Sequence, residues 1–115
     1  MLRHTDAVDY GNSVSIGCNI SNAPVENEEI RYEVVWMKSK NNQNYEELST
    51  SDEDTAKYQG STIRYPHLII READKMDDAY YYCCLKYKTS KGAQSVKSDV
   101  IHLSVNKGKY RRLKL

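Results

Sequence analysis

The chain has 115 residues, a length that suits one domain, and its 17 basic and 16 acidic side chains leave a formal charge of only +1. This balance gives no general attraction to nucleic acid or to acidic lipid. No apolar run approaches the roughly 18 residues of a membrane span, and residues 1–11 lack the apolar segment of a signal peptide.

The strands are predicted from alternation of apolar and polar residues, which recurs along the chain between polar turn clusters. Helical periodicity is nearly absent, so the pattern indicates an all-β sandwich or barrel. In chain order, the side chains predicted to face inward are Val14, Ile16, Cys18 and Ile20, then Tyr32, Val34 and Trp36, then Leu68 and Ile70, then Ala79, Tyr81, Cys83, Leu85 and Tyr87, and finally Ile101, Leu103 and Val105.

Turn-forming residues connect these segments. The sequence TSKGA, residues 89–93, predicts a hairpin turn in which Gly92 can adopt a positive φ. We expect an N-terminal stub at 1–8, a single domain at 9–105 and a basic tail or linker at 106–115.

Three cysteines are an odd number, which in a secreted protein suggests one disulfide and one leftover thiol. Cys18, Trp36 and Cys83 follow one another in that order, and Tyr81 lies two residues before the second cysteine. With Asp77 these residues resemble the signature of an immunoglobulin-superfamily domain of the variable or intermediate set. The resemblance implies a two-sheet Greek-key sandwich, with the variable type favoured and a C′ strand near 45–48, followed by room for a short C″ strand.

The resemblance also implies a role for each of its residues. Cys18 and Cys83 would bridge the two sheets, and Trp36 would pack on that bridge. The Tyr81 hydroxyl would bond to backbone in a tyrosine corner, with Leu68 and Ile70 in the core. Asp77 would meet a basic residue, for which Lys57 is the first candidate and Arg71 the second.

The two adjacent cysteines predict a second feature. Successive side chains on a strand point to opposite faces, so an inward Cys83 places Cys84 outward. The neighbouring outward positions are unusually apolar, which suggests a protein interface. The resemblance implies that this face pairs with another variable-type domain, and Cys84 is then buried in the interface, bridged to a partner or a free thiol. The predicted partner-binding residues are Val35, Met37, Tyr80, Tyr82, Cys84, Lys86, Val100 and His102.

Other site signals are weaker. Asn19, in the sequence NIS, fits the N-glycosylation pattern. The loops at 21–29 and 89–93 offer a second candidate binding surface at one end of the sandwich. The cysteine spacing fits no zinc module, no catalytic arrangement can be assembled, and no cofactor is predicted.

These observations predict an extracellular recognition module, at a cell surface or secreted, which is not an enzyme. Its partner would be a protein, either another immunoglobulin-like domain or a second copy in a homodimer, with no nucleic-acid binding and no membrane insertion. The alternative is an intermediate-set spacer in a muscle or matrix array. Sedimentation with and without reductant separates the two, because a spacer stays monomeric in both.

Overall fold

The computed structural model describes residues 4–20, 32–51, 56–62 and 66–106. A single 3₁₀ helix, Lys75–Asp77, is the only helix within these ranges. The strands are β1 His4–Asp9, β2 Val14–Ile16, β3 Glu33–Ser39, β4 Glu46–Glu47, β5 Tyr58–Gly60, β6 Leu68–Ile70, β7 Ala79–Thr89, β8 Gly92–Lys97 and β9 Ile101–Asn106.

The strands form two sheets, which confirms the predicted two-layer all-β architecture. The larger sheet runs β1-β9-β7-β3-β4, with β8 also paired to β7, and the smaller sheet runs β2-β6-β5. β9 pairs with the first residues of β7, at Ala79–Tyr81, whereas β8 pairs with the remainder, at Cys84–Thr89. β8 and β9 therefore pair with the same edge of β7, one after the other, because β7 is long enough to accommodate both.

The core lies between the sheets and contains most of the side chains that the alternation placed there; Tyr32 and Tyr87 are the exceptions, since they are half-buried and contact each other. Ile16, Leu68 and Ile70 of the smaller sheet are fully buried, as are Trp36 and Leu103 of the larger sheet. Burial of one such side chain stabilises the fold by about 1.5–3 kcal/mol. The partly buried residues packed against this core include Val14, Cys18, Ile20, Leu85 and Val105.

The N-terminal stub predicted for residues 1–8 is wrong in its second half, because His4–Asp9 forms β1. β1 pairs in parallel with β9, from His4 opposite Ile101 to Asp9 opposite Asn106. This pairing uses backbone groups and needs no apolar alternation, so it could not be predicted from the polar sequence of β1. Val8 is the one residue of β1 in the core.

The structure contains the predicted hairpin turn and the predicted edge strand. β4 lies at Glu46–Glu47, within the predicted C′ segment, and pairs with β3. β7 ends at Thr89 and β8 begins at Gly92, whose φ is 115° as the hairpin turn requires. The room for a C″ strand falls partly on residues 52–55, and most of the predicted tail on residues 107–115, both outside the described residues.

Candidate functional site

The two sheets are joined by a disulfide between Cys18 and Cys83, with Cα atoms 5.5 Å apart. The closed loop spans 65 residues, which in the chain-entropy model stabilises the fold by about 4 kcal/mol. Trp36 lies opposite Cys83 in the β3–β7 register and is fully buried. Its indole Nε1–H donates to the Pro66 carbonyl at 2.8 Å, which ties β3 to the segment before β6. No sequence pattern indicated Pro66 as this partner.

Asp77 forms an ionic cluster at the start of β7. Its Oδ2 lies 2.7 Å from Lys57 Nζ, which confirms the first predicted partner. Arg71 instead contributes its carbonyl, which accepts from Lys57 Nζ at 2.8 Å. Asp77 Oδ1 accepts from the Tyr58 hydroxyl at 3.2 Å, and Oδ2 from the Asp74 backbone N–H at 2.9 Å. Every oxygen of this buried carboxylate therefore has a donor.

Tyr81 completes the predicted tyrosine corner, since its hydroxyl donates to the Asp77 carbonyl at 2.7 Å. Burial raises the pKa of the Tyr81 and Tyr58 phenols above the usual tyrosine range. Burial also lowers the pKa of Lys38, an effect that the nearby Asp77 carboxylate opposes. Together the cluster and the corner fix the first residues of β7, and with them which of its side chains point inward.

The inward direction of Cys83 places Cys84 on the outer face of the larger sheet. The register sets Val35 opposite Cys84 and Met37 opposite Tyr82. Tyr80 lies opposite His102 of β9. The structure thus brings most of the predicted partner-binding residues onto one continuous face, which we call the outer face: the outward side chains of β4, β3, β7, β8 and β9.

Two of the residues predicted to bind a partner on the outer face are shielded from solvent. Cys84 is 6% exposed and Val35 only 4%, so neither is an accessible group. Longer outward side chains flank them in the register, Met37 and Tyr82 on one side and Lys86 on the other. Alternation determines which face a residue occupies, whereas the neighbours determine its accessibility. Cys84 is a free cysteine whose side chain is already buried in the single chain.

The accessible part of the outer face is aromatic. The Tyr82 ring contacts Tyr45, with centroids 4.9 Å apart, and the Lys97 ammonium lies over it at 5.2 Å. The Tyr80 ring stacks on His102 at 4.7 Å, and His102 Nε2 lies 3.3 Å from Asp78 Oδ1.

Sequence reasoning missed two residues of this face, Tyr45 and Lys97. The available signal was their position: Tyr45 lies two residues before Glu47, which is opposite the outward Met37, and Lys97 is opposite Cys84 across the hairpin. Of the predicted contacts, Lys86 is exposed, and Val100 is half-buried beside β9.

The remaining predicted sites are only partly described by the structure. Asn19 is exposed, but Ser21 of its glycosylation pattern and the loop at 21–29 lie outside the described residues. Across the described ranges, no cluster of three or more His, Cys, Asp or Glu side chains is arranged to hold a metal ion. Nor does any helix in those ranges have the length and apolar character needed to cross a membrane.

Comparison with known proteins identifies the fold. No family model and no curated protein matches this chain. Among solved structures, murine CRIg is similar with a TM-score of 0.63 and 17% identity, over 90% of this chain and 92% of that chain. The three N-terminal domains of the bacteriophage RB49 highly immunogenic outer capsid protein match with a TM-score of 0.62 and 18% identity. Immunoglobulin domains 1–5 of Sidekick-1 match with a TM-score of 0.61 and 18% identity.

The chain covers different shares of these structures. The match with the RB49 protein covers 89% of this chain and 37% of that chain, and the match with Sidekick-1 covers 93% of this chain and 19% of that chain. It therefore corresponds to one domain within those longer chains. The strand order, the disulfide between the sheets and the tyrosine corner agree with these similarities, and the chain has an immunoglobulin-like fold.

Proposed function

We propose that this chain is an extracellular recognition domain that binds a protein partner through the outer face. The observation that carries the proposal is the set of aromatic side chains on that face: Tyr82 contacts Tyr45 and Lys97, and Tyr80 stacks on His102. A solvated strand face is ordinarily polar. An aromatic face supplies large contact area at a small entropic cost of ordering, because its rings are already fixed.

The solvent-accessible residues of the outer face would make the contacts with the partner. Met37, Tyr80 and Tyr82 offer apolar contact, and His102 and Lys86 supply polar contacts around them. Cys84 and Val35 are buried, so they contribute little contact area. We therefore propose non-covalent binding instead of a disulfide to the partner, since the Cys84 sulfur is covered by its own chain.

The disulfide supports the extracellular location. Disulfides persist in secreted and cell-surface compartments and are rare in the reducing cytosol. An exposed Asn19 in a glycosylation pattern fits the same compartment. The variable type is favoured because β4 adds a paired C′ strand to the edge of β3. The partner class that suits such a face is another immunoglobulin-like domain, including a second copy of this chain.

The proposal is tested by binding the multimerised chain to an array of cell-surface ectodomains. Three chains are compared: the wild type, Tyr82→Asp, which introduces a charge at the centre of the outer face, and Ser15→Asp, which introduces one on the exposed surface of β2 in the other sheet. Circular dichroism verifies that each is folded. We expect at least one ectodomain to bind the wild type and Ser15→Asp and to lose at least tenfold in affinity for Tyr82→Asp. Equal binding by all three chains contradicts the proposal.

A further inference from the structure

Charge on the outer face is divided between its two sides. Lys97 on β8 and Lys86 on β7 are exposed on one side of the face, and Glu47 on β4 and Glu33 on β3 are exposed on the other. The register fixes their direction: Glu47 is opposite Met37, Lys97 opposite Cys84 and Glu33 opposite Lys86. Within the described residues, no opposite charge forms an ion pair with any of the four.

The strand order gives this division a geometric consequence. The face consists of β4, β3, β7 and then the strands β8 and β9 in succession, so the line between β3 and β7 lies in its middle. When two identical faces pack about a two-fold axis along that line, β3 of one copy lies on β7 of the other, and β4 lies on β8 and β9. Positions along the strands are unchanged by this rotation.

The residues then meet in complementary pairs. Glu33 lies on Lys86 of the second copy, because the two are register partners within one chain. Met37 lies on Tyr82 of the second copy for the same reason. Glu47 and Lys97 of the second copy differ by one outward position, about 7 Å along the strand, a distance that a lysine and a glutamate side chain can span. Each contact occurs twice by symmetry.

A two-fold axis that runs across the strands gives no such complementarity. It places β4 on β4 and β8 on β8, so Glu47 approaches Glu47 and Lys97 approaches Lys97. Like charges across an interface are unfavourable and discriminate against that arrangement.

We propose that the outer face binds a second copy of this chain about the axis that runs along β3 and β7, with the charged sides pairing crosswise. The inference rests on the proposed function and names its partner. Four strands about 4.8 Å apart and about 23 Å long give a face of roughly 450 Å² per copy. A standard interface buries about 800 Å² per partner, so the dimer is weak, with a dissociation constant in the micromolar range or above.

The test is sedimentation of the full chain over a concentration series reaching about 500 μM, well above the micromolar dissociation constant expected for so small an interface. The variants are Lys97→Glu and Glu47→Lys, with Lys75→Glu and Glu72→Lys as matched controls at exposed positions outside the face. Reversal of a charge turns two symmetric attractions into repulsions. Exposed pairs contribute up to about 1 kcal/mol each, so we expect each face variant to weaken self-association by about tenfold. The controls should leave it unchanged.

Two equimolar mixtures complete the test. In the mixture of Lys97→Glu with Glu47→Lys, both charged contacts of the proposed arrangement are attractive again, so the mixed dimer regains wild-type affinity. The mixture of Lys97→Glu with the wild-type chain separates the two arrangements: in the proposed one it associates more weakly than the wild type does with itself, because one of its two contacts is repulsive, whereas across the strands it associates more tightly, because a Lys97–Lys97 repulsion is removed. A first mixture that stays monomeric, a second mixture that is tighter than the wild type, or a wild type that remains monomeric throughout overturns the inference.

These outcomes are separable from those of the proposed function. A monomeric wild type whose ectodomain binding is lost in Tyr82→Asp removes the second copy as partner and leaves the recognition face in place. A dimer that persists in Tyr82→Asp and in both charge variants uses another surface and contradicts this inference, whereas equal ectodomain binding by the wild type, Tyr82→Asp and Ser15→Asp contradicts the proposed function.

Discussion

Replacement of Asp77 by alanine tests the ionic cluster at the start of β7. Asp77 is fully buried and pairs with Lys57 at 2.7 Å. Loss of one partner from a buried pair typically costs 3–5 kcal/mol. Lys57 is partly exposed and also donates to the carbonyls of Arg71 and Glu72. Its charge therefore remains solvated, and we expect the lower end of that range, about 3 kcal/mol.

Asp77→Asn separates the charge from the hydrogen bonds. An amide oxygen can still accept from the Asp74 N–H or the Tyr58 hydroxyl, so only part of the interaction is lost. We expect this variant to cost about half as much as Asp77→Ala. Asp99→Ala is the control, because it removes an exposed carboxylate outside the cluster, and it should change stability by less than about 0.5 kcal/mol.

The assay is urea unfolding of the three variants and the wild type. With a slope of about 1–3 kcal/mol per molar urea, Asp77→Ala should lower the midpoint by about 1–3 M with the slope unchanged. Two results refute the reasoning. One is a loss below about 1 kcal/mol for Asp77→Ala, and the other is an equal loss in Asp77→Asn, which would assign the whole effect to the ion pair.

Three further substitutions and one labelling experiment have predicted outcomes. Joint replacement of Cys18 and Cys83 by alanine should lower the unfolding free energy by about 4 kcal/mol in urea, and a loss below about 1 kcal/mol contradicts the loop-closure argument. Tyr81→Phe should cost about 1–2 kcal/mol through its lost hydrogen bond. Burial raises the folded-state pKa of Tyr81, so its contribution to the free energy of unfolding is constant below the unfolded-state pKa of about 10 and is lost as the pH rises further. Above pH 10, the stability of Tyr81→Phe should therefore fall less steeply with pH than that of the wild type. Parallel curves of stability against pH contradict the assignment. Gly92→Ala should cost about 1–2 kcal/mol because φ is 115°, although a Cβ would meet no atom within 4 Å. Finally, a thiol reagent should modify Cys84 slowly in the folded chain and rapidly in urea, and equal rates contradict its burial.

The sequence predicted the fold because its signals were local and redundant. The alternation around Trp36 and Cys83, the tyrosine two positions before Cys83 and the carboxylate at Asp77 all indicate the same sandwich. Each requirement has a separate physical origin in burial, hydrogen bonding or charge. Their agreement specified which side chains of β7 point inward before any coordinates were considered.

The features that escaped prediction depend on long-range geometry. β1 is polar and is held by parallel backbone pairing with β9, and periodicity carries no information about such pairing. Lys38 follows Met37 at the end of β3 and points inward, which brings it to 4.0 Å from Asp77. Its identity as a lysine gave no reason to expect that. The accessibility of the outer face was also beyond prediction: Cys84 is only 6% exposed, and its register neighbours Val35 and Lys97 come from other strands.

The central claim is that the partner contacts the outer face, and oxidative footprinting of the complex tests it most directly. Met37 lies on that face, whereas Met76 is 60% exposed in the 3₁₀ helix outside it. The partner is the ectodomain or second copy found to bind in the assays above. Binding should slow oxidation of Met37 at least severalfold and leave Met76 unchanged. Protection of Met76 with no change at Met37 would contradict the account.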